Sequence, residues 1–556
     1  MNAKQFTLFR MPFTTPYRRT SVVLLLAEVA IIILRCVTPL CQRSLVDAAN
    51  AGIIRRCVEF ACLLGAMMLC SHGAGILAQW KYGTLSIALR QHLKAEVFRH
   101  LLQLPEDFLR SRGAGYFFNR VQNDIGHMVV FWASRGISLY VNFLELLLGM
   151  ATLYFIDWRH VLLGIPFLCL QFLLCLAFRK QQYAYAGKMQ ESVATQRHLM
   201  QEYLERHVAV KTHTAVQSAG EKIKKGLSDW GQLARKRLRL DMLFRFCLQV
   251  PSWLCLAIVL ILGIYDLHNG QGTLGDLWAK LALLRLLFTP AQALGGSLSQ
   301  LEEARSASER LKELLEVSIE DTDADTDAFQ ALSLKGDILI QGLHFRHDAS
   351  ERELFQGLEL RIPAGDRLFI TGSNGSGKST LLSLLLRLYL PKQGAISIGG
   401  KNIQDFPLGA YRRRIGYLGQ HPEFIPGTLR DNLLFGNPPC DDATILETMR
   451  RLGCQRLVEN RSAGLGATVT ANAENFSGGE RLRMALVREM LRDTDILLFD
   501  EAAAHLDLEG RQEFYQLIQK LPADRTVIAV VHGTPDIPEA KVFTLQDARP
   551  EEKSIE

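Results

Sequence analysis

The sequence lacks the cysteine spacing that a zinc site or a disulfide framework requires. Its 556 residues contain 11 cysteines, an odd number, and no two of them have C-x-x-C spacing. Nine lie in or beside apolar runs, and only Cys440 and Cys454 fall in the polar second half. Because an isolated cysteine behaves as a small apolar residue, we expect buried reduced thiols, no disulfides and no zinc site.

The sequence also has no basic cluster beside a nucleic-acid-binding motif, although its net charge is +6. Residues 1–320 carry 36 Lys and Arg against 23 Asp and Glu, whereas residues 321–556 carry 27 against 34. The first part is basic and apolar, and the second is acidic and polar. This division predicts a membrane part followed by a soluble part, and it argues against nucleic acid as a partner.

No cleavable signal peptide is expected, because about 20 residues precede the first apolar run and no A-x-A-like site follows a short one. The first half does contain six apolar segments of membrane-spanning length. They lie near 21–42, 57–79, 128–156, 159–178, 242–265 and 273–297. The predicted fold of this half is a membrane all-α domain of six transmembrane helices.

The charges of the loops predict which side of the membrane each one faces. The long loops 80–127 and 179–241 carry seven and 13 Lys and Arg, and residues 1–20 carry no acidic residue. By the positive-inside rule the N-terminus and both long loops are cytoplasmic, although loop 43–56 fits less well. Apolar residues at helical spacing in 85–104 indicate that the helices continue as stalks whose tips reach a cytoplasmic part.

From Gly336 onward, short apolar strands alternate with helices, which predicts an α/β domain with a largely parallel sheet. The expected domains are 1–320, transmembrane; 321–335, a linker; and 336–556, a P-loop nucleotide-binding domain. The linker contains the acidic run DTDADTD, which lacks the Gly and Glu of a calcium loop. A solvated linker is therefore expected there instead of a metal site.

A glycine-rich motif lies between an apolar strand, Arg367–Thr371, and an apolar helix, Leu381–Leu390. It fits G-x-x-x-x-G-K-[ST], in which backbone N–H groups and a helix N-terminus hold the phosphates of a nucleotide. We expect Lys378 to reach the β- and γ-phosphates and the Ser379 hydroxyl to bind Mg²⁺. The motif consists of Gly372, Ser373, Asn374, Gly375, Ser376, Gly377, Lys378 and Ser379, followed by Thr380.

Two further motifs complete a nucleotide site. The apolar strand 496–501 ends in Asp500 and Glu501, which suit the two roles that a P-loop site needs, a carboxylate near magnesium and a group that orients or deprotonates water. The segment 476–480, FSGGE, precedes a long helix. Its Ser477, Gly478 and Gly479 predict a second anion site, which would cap the γ-phosphate held by another copy. An ordinary helix N-cap by Ser477 is the alternative.

In combination, these motifs closely resemble the ATP-binding cassette (ABC) family, in particular its exporter-type half-transporters. Residues 372–380 resemble the Walker A motif, 496–501 the Walker B motif and 476–480 the signature motif. The resemblance covers nearly the whole chain, because the first half is similar as well. Its similar segments are 108–125, 203–215 and 273–294.

The resemblance implies ATP and Mg²⁺ as cofactors and adds further site residues. Gln420 looks like the Q-loop glutamine, which contacts magnesium and the membrane domain. Asp507 looks like the D-loop aspartate, and His532 looks like the switch histidine that touches the γ-phosphate. His347 aligns with the aromatic residue that stacks on adenine, unless the alignment slips to Phe345.

Several departures from the family pattern are visible, the first of which is His347 in place of the stacking aromatic, since imidazole stacks more weakly. The signature ends in Glu480 instead of Gln, the stretch Thr470–Ala473 lacks the usual acidic residue, and Ala504 stands where Ser is usual. They put nucleotide selectivity and coupling strength in question. None of them replaces the lysine, the two carboxylates or the switch histidine named above, so a hydrolysis-competent site is expected.

One chain would supply six helices and one cassette, so the resemblance implies a dimer, either a homodimer or a heterodimer with a related chain. ATP would lie between the Walker A motif of one protomer and the signature of its partner. Closing of the cassettes would switch a central cavity from inward- to outward-facing. The expected activity is ATP hydrolysis that drives export of a lipid, peptide or amphipathic small molecule across a bacterial plasma membrane.

Charged residues inside or near the apolar spans bear on the substrate, because a charge at the bilayer centre costs roughly 2.5–3.5 kcal/mol. If several of them line the cavity, an anionic or amphipathic cargo is favoured; the alternative is that the arginines reach the membrane surface. These residues are Arg35, Arg135, Arg245, Arg285 and Glu145.

Other functions remain open at this point. The chain could be a subunit of a heterodimeric exporter with one degenerate site, or it could use the fold as an ATP-gated channel or regulator. A soluble P-loop ATPase that acts on nucleic acid is opposed by the six apolar spans.

Overall fold

A computed structural model describes residues 18–132, 136–320, 332–347, 353–504, 506, 508–531 and 540–545. The chain divides into two compact units. The first comprises residues 1–99 and 115–317, and the second comprises residues 100–114 and 318–556. Four of the positions discussed above lie outside the described residues: the acidic run 321–327, Arg135, Asp507 and His532.

Helices form the first unit, and several of them are much longer than a bilayer requires. With α3 of the second unit included in the numbering, they are α1 (Arg18–Asn50), α2 (Ile54–Leu102), α3 (Glu106–Arg112), α4 (Ala114–Asn119), α5 (Ile125–Val130), α6 (Gly136–Glu205), α7 (His207–Thr212), α8 (Val216–His268) and α9 (Leu274–Glu316). A π-helical turn, Arg120–Asp124, joins α4 to α5. Because about 20 residues suffice to cross a bilayer, the 49 residues of α2 and the 53 of α8 confirm helices that continue beyond it.

Four helices in the described part of the chain are long and apolar enough to cross a membrane, namely α1, α2, α6 and α8. Helix α6 has 70 residues and is broken at Asp157, whose extended backbone (φ −162°, ψ 103°) interrupts the helical hydrogen bonding. The break lies where the sequence predicts the turn between its third and fourth spans. The third span, predicted near 128–156, overlaps α5 and the first half of α6; residues 133–135 between them lie outside the described part of the chain.

The break at Asp157 is held by two buried side chains, the Lys280 ammonium and the His160 imidazole. Lys280 on α9 donates to Asp157 Oδ2 at 2.7 Å, and His160 Nδ1 lies 2.9 Å from the same oxygen. Lys280 is 9% exposed and His160 4% exposed. One carboxylate therefore joins both halves of α6 to the last helix of the unit.

The cysteines are all unpaired thiols, but they are not uniformly buried as expected. Cys36, Cys41, Cys175, Cys255 and Cys454 are buried. Three others, Cys62, Cys70 and Cys169, are exposed on the surfaces of long apolar helices. The expectation of burial was wrong for these three, because a thiol on the outer face of a helix can contact surroundings outside this chain.

The second unit contains strands and shorter helices. The strands are β1 (Ile338–Phe345), β2 (Phe355–Ile362), β3 (Arg367–Gly372), β4 (Gln393–Ile398), β5 (Lys401–Asn402), β6 (Ile415–Leu418), β7 (Gly427–Thr428), β8 (Thr468–Val469), β9 (Ile496–Asp500), β10 (Thr526–Val530) and β11 (Lys541–Leu545). The helices are α10 (Lys378–Leu385), α11 (Leu408–Arg413), α12 (Leu429–Leu433), α13 (Asp442–Arg451), α14 (Arg456–Glu459), α15 (Gly478–Met490) and α16 (Leu508–Lys520).

Two larger sheets organise these strands. The parallel sheet has the order β11-β3-β10-β9-β6, and the antiparallel sheet has the order β2-β1-β4-β5. The prediction of a largely parallel sheet describes only the first of them, since β1 pairs antiparallel with both β2 and β4. In the parallel sheet β10 separates β3 from β9. The carboxyl ends of β3 and β9 therefore lie at one edge, where ligands of such sheets bind.

The segment 100–114, which includes α3, belongs to the second unit by its contacts. Arg110 donates to the hydroxyl of Tyr389 at 3.2 Å. The backbone N–H of Glu320 donates to the carbonyl of Gln103 at 2.7 Å, and Arg412 binds the carboxylate of Glu320 at 2.6 Å. Residues at the tip of the first long loop thus contact the rest of the second unit.

Candidate nucleotide-binding site

The Walker A loop connects β3 to α10 through glycines with left-handed backbones. Gly377 (φ +100°) is the N-cap of α10, and Gly375 (φ +82°) forms the turn before it. Lys378 is 5% exposed, and its ammonium donates to the carbonyls of Gly372 and Ser373 at 3.0 Å each. The loop is therefore folded around its own lysine.

The residues of this loop fit a bound triphosphate. The buried hydroxyl of Ser376 makes no hydrogen bond within the described residues. An unpaired buried hydroxyl costs free energy, and a phosphate oxygen would accept from it. Together with the Lys378 ammonium and the N-terminus of α10, it provides the donors that a phosphate group needs. The donor groups of the loop predicted from the sequence thus lie together and form a candidate anion site.

Asp500 ends β9 next to this loop. The Ser379 hydroxyl donates to Asp500 Oδ1 at 2.9 Å. Burial raises the pKa of Asp500; the Ser379 hydroxyl partly offsets this rise, and the neighbouring Glu501 carboxylate adds to it. A buried carboxylate next to a second carboxylate favours the binding of a cation. The hydroxyl of Ser379 and the carboxylate of Asp500 are hard oxygen ligands, which fit Mg²⁺.

Glu501 follows directly, in a conformation that is rare for a residue with a side chain. Its φ is +50°, and its backbone N–H donates to the carbonyl of Val530 on β10 at 3.2 Å. Such strain of about 1–3 kcal/mol is found at functional sites. Gln420 Nε2 lies 3.4 Å from Glu501 Oε2, so the structure brings Gln420, Glu501 and Asp500 to one place, as the sequence predicts.

Tyr417 is a member of this group that the sequence analysis missed. It lies on β6, and its hydroxyl donates to Asp500 Oδ2 at 3.4 Å. Burial, followed by the charge of Asp500, raises the pKa of Tyr417 to about 12. It therefore remains a neutral donor at physiological pH. In the sequence, only its position three residues before Gln420 pointed to a role for Tyr417. The pairing of β6 with β9 is what brings Tyr417 to Asp500.

His347 lies beside the Walker A helix. Its Nε2 is 3.4 Å from the hydroxyl of Thr380, and its ring meets those of Phe345 and Tyr389 edge to face. Phe345 is 3% exposed within the core of the antiparallel sheet. Of the two candidates for adenine stacking, His347 is thus the one with accessible ring surface.

The signature segment, Phe476–Glu480, begins α15. The Ser477 hydroxyl accepts from the N–H of Glu480 at 3.2 Å, and the Ser477 N–H donates to Glu480 Oε2 at 2.8 Å, which forms a capping box. Ser477 and Gly478 are exposed. In the described part of the chain no hydrogen bond joins this segment to the Walker A loop. A groove of about 610 Å³ between α15 and α16 opens beside Gly478 and Gly479.

Replacing Gly377 by alanine is expected to lower nucleotide affinity by about tenfold or more. A Cβ there would lie 2.8 Å from the ring of Phe355, and the left-handed backbone adds a cost of roughly 1–2 kcal/mol. Gly375→Ala is the matched control, because it has a similar φ and open space around the Cβ. Binding of a fluorescent ATP analogue measures both variants. Equal losses in the two would show that the contact with Phe355 does not matter.

Comparison with known proteins gives a consistent result for both units. The family model described as ABC transporter transmembrane region matches residues 22–291, and the model described as ABC transporter matches residues 355–504. Together they cover most of the chain. The first match covers most of the helical unit together with the segment 100–114, and the second match lies within the α/β unit.

Individual relatives are similar over most of this chain. The ATP-dependent lipid A-core flippase of Chromohalobacter salexigens is 26% identical over 79% of this chain and 76% of its own length. The Multidrug efflux ATP-binding/permease protein of Mycobacterium bovis is 27% identical over 79% of this chain and 37% of its own length.

Among solved structures, a bacterial Atm1-family ABC exporter with ATP bound has the same fold. The TM-score is 0.83 at 20% identity, over 96% of this chain and 95% of that one. With both regions matched in one polypeptide, and with a loop that fits a triphosphate at the carboxyl edge of a parallel sheet, the chain belongs to the ABC transporter family, as an exporter-type half-transporter that couples ATP hydrolysis to transport across a membrane.

Proposed function

We propose that two copies of this chain form an exporter in which ATP is bound between the Walker A loop of one protomer and Ser477–Gly479 of its partner. This proposal is supported by the presence of two separate anion sites on one chain. The Walker A loop holds Lys378 and the unpaired Ser376 hydroxyl, whereas Ser477 and Gly478 present an exposed helix N-terminus beside an open groove. In the proposed dimer one triphosphate uses both sites, and each copy supplies one of them.

Within this site the residues have separate proposed roles. Ser379 and Asp500 hold Mg²⁺, which neutralises charge on the β- and γ-phosphates, and Gln420 lies beside them. Glu501 takes the proton of the attacking water. His347 stacks on the base, Asp507 acts across the dimer, and His532 contacts the γ-phosphate.

We further propose that six segments cross a bacterial inner membrane with the N-terminus and the cassette in the cytoplasm. They are α1, α2, the two halves of α6, α8 and the first part of α9. The excess of Lys and Arg in the two long loops supports this orientation. In a variant whose native cysteines are replaced by serine or alanine, single cysteines introduced at Asn50 and Gly270 should react with a membrane-impermeant thiol reagent from outside the cell; labelling only from the cytoplasmic side would contradict this orientation.

The substrate that fits best is an anionic amphipathic lipid, and Arg285 carries this proposal. Arg285 lies eleven residues into α9, about 16 Å along the helix, which is near the centre of a 30 Å hydrocarbon layer. Its side chain is exposed and has no carboxylate partner among the described residues. A cation at that depth is retained where it faces a water-filled path or a bound anion.

The other charged residues support this less directly. Arg35 donates to Glu145 at 3.3 Å, so its charge is already balanced. Arg245 is exposed and unpaired within the described residues, but it lies 23 residues before the end of α8, close to the membrane surface. Several relatives are named as flippases of lipid A-core, which is consistent with an anionic lipid.

Arg285→Gln is expected to raise the concentration of anionic lipid that half-maximally stimulates the ATPase by about tenfold, because one desolvated charge pair is lost. Arg285→Lys should retain most of the stimulation. Arg305→Gln is the control, since Arg305 lies on the same helix about 30 Å further along. Reconstituted protein with defined lipids provides the measurement. Unchanged stimulation of Arg285→Gln would exclude this residue from substrate binding.

A further inference from the structure

The signature segment carries a negative charge beside the helix end that is proposed to bind phosphate. Glu480 is the third residue of α15, one turn from the exposed helix N-terminus at Ser477. A carboxylate there stabilises the helix, because it caps the first turn and faces the positive end of the helix dipole. The same carboxylate would repel a phosphate that approaches Ser477–Gly479.

Arg461 binds Glu480 from outside the signature helix. It follows α14, and its guanidinium donates to Glu480 Oε1 at 3.0 Å and to the carbonyl of Leu457 at 3.0 Å. The same guanidinium lies 4.0 Å from the ring centre of Phe476, the first residue of the signature segment. The Arg461 side chain is 21% exposed. Three contacts thus fix one cation beside the signature.

The ionisation of Glu480 follows from its surroundings. Burial alone would raise the pKa of Glu480, but hydrogen bonds from Ser477 and the nearby Arg461 guanidinium outweigh it and lower the pKa. Glu480 is therefore charged at neutral pH, and Arg461 supplies the opposite charge at hydrogen-bond distance. The pair as a whole is neutral.

We propose that Arg461 is a positioning residue for the ATPase cycle, which neutralises Glu480 so that Ser477–Gly479 can accept the phosphates of the nucleotide held by the partner protomer. The inference rests on the dimer described under Proposed function. Arg461 acts through Glu480 and Phe476 and does not itself touch the nucleotide. Its loss would leave one unbalanced negative charge at the phosphate-binding helix end itself, because Glu480 Oε2 lies 2.8 Å from the backbone nitrogen of Ser477.

Arg461→Met is the decisive variant, because methionine keeps the apolar stem over Phe476 and removes the charge. The ATP concentration for half-maximal ATPase should rise roughly tenfold. Binding of a fluorescent nucleotide to the open state without Mg²⁺, which uses the Walker A loop, should be unchanged. Glu480→Gln alone should stay within about twofold of the parent protein.

The double variant Arg461→Met/Glu480→Gln distinguishes an effect of the unbalanced charge from an effect of altered structure. It removes the unpaired carboxylate, so the ATP requirement should return to within about threefold of the parent protein. The thermal midpoint of each variant is measured in parallel to detect unfolding. A normal ATP requirement in Arg461→Met, or no recovery in the double variant, would overturn the inference.

A bulky substitution in the signature tests separately whether the role of Arg461 is wrong and whether the shared nucleotide site is wrong. A Cβ on Gly478 meets no atom within 4 Å, so Gly478→Glu should fold. It should abolish turnover if the segment binds a partner's nucleotide. If Gly478→Glu is inactive while Arg461→Met is normal, only the role of Arg461 is wrong. If Gly478→Glu hydrolyses ATP normally, the shared site is wrong as well.

Discussion

Glu501→Gln is expected to lower the rate of ATP hydrolysis by about 10²–10⁴-fold while ATP remains bound, because a general base contributes that much to such reactions. The amide keeps the size of the side chain and can still contact Gln420, but it cannot accept a proton from water. The backbone of Glu501, with φ +50° and a hydrogen bond to Val530, holds the side chain in place independently of its charge. Release of labelled phosphate and retention of labelled ATP measure the two effects.

Glu423→Gln is the control for this experiment. Glu423 is exposed and lies three residues after Gln420, and the same change of charge there should leave turnover intact. If Glu501→Gln hydrolysed ATP at the normal rate, another group would have to activate the water.

Asp157→Asn is expected to destabilise the helical unit by about 3–5 kcal/mol, because it removes the carboxylate that pairs with the buried Lys280 ammonium. Lys280 donates to this carboxylate at 2.7 Å, His160 lies 2.9 Å from it, and both side chains are buried. The carboxylate also accepts from the backbone N–H of Arg159 at 3.1 Å, which supports the break in α6. The thermal midpoint of the detergent-solubilised protein should fall by roughly 5–10 °C.

Two further variants make the Asp157 result specific. Asp229→Asn changes an exposed carboxylate on α8 and should have no measurable effect. Asp157→Asn/Lys280→Gln should recover part of the lost stability, because it no longer leaves a buried ammonium unpaired. A thermal midpoint of Asp157→Asn equal to that of the parent protein would show that the cluster does not hold the turn.

Much of the nucleotide site was predictable, because each motif is local. Strand β3 covers the predicted Arg367–Thr371, and β9 covers the predicted strand up to Asp500. A strand that ends in a glycine-rich loop and opens a helix depends on residues within about ten positions of one another. The helix starts were less well placed, since α15 begins at Gly478, whereas the sequence analysis placed the helix after the segment 476–480. The capping box of Ser477 and Glu480 explains the difference.

The contacts that depend on distant parts of the chain were not predictable. Tyr417 reaches Asp500 because β6 pairs with β9, 83 residues away in sequence. Arg461 and Glu480 are 19 positions apart in sequence, and the chain between them includes β8 and the start of α15. Neither has a sequence pattern that identifies it, since both resemble ordinary surface residues.

By itself, the sequence determined that this protein has apolar helices followed by a P-loop unit, because hydrophobic runs and phosphate-binding loops depend on neighbouring residues. Tertiary structure alone decided which charges are balanced: Arg35 by Glu145, Lys280 by Asp157 and Glu480 by Arg461. A charge is stabilised by whatever lies within a few ångströms of it, and folding brings those groups from remote positions in the chain.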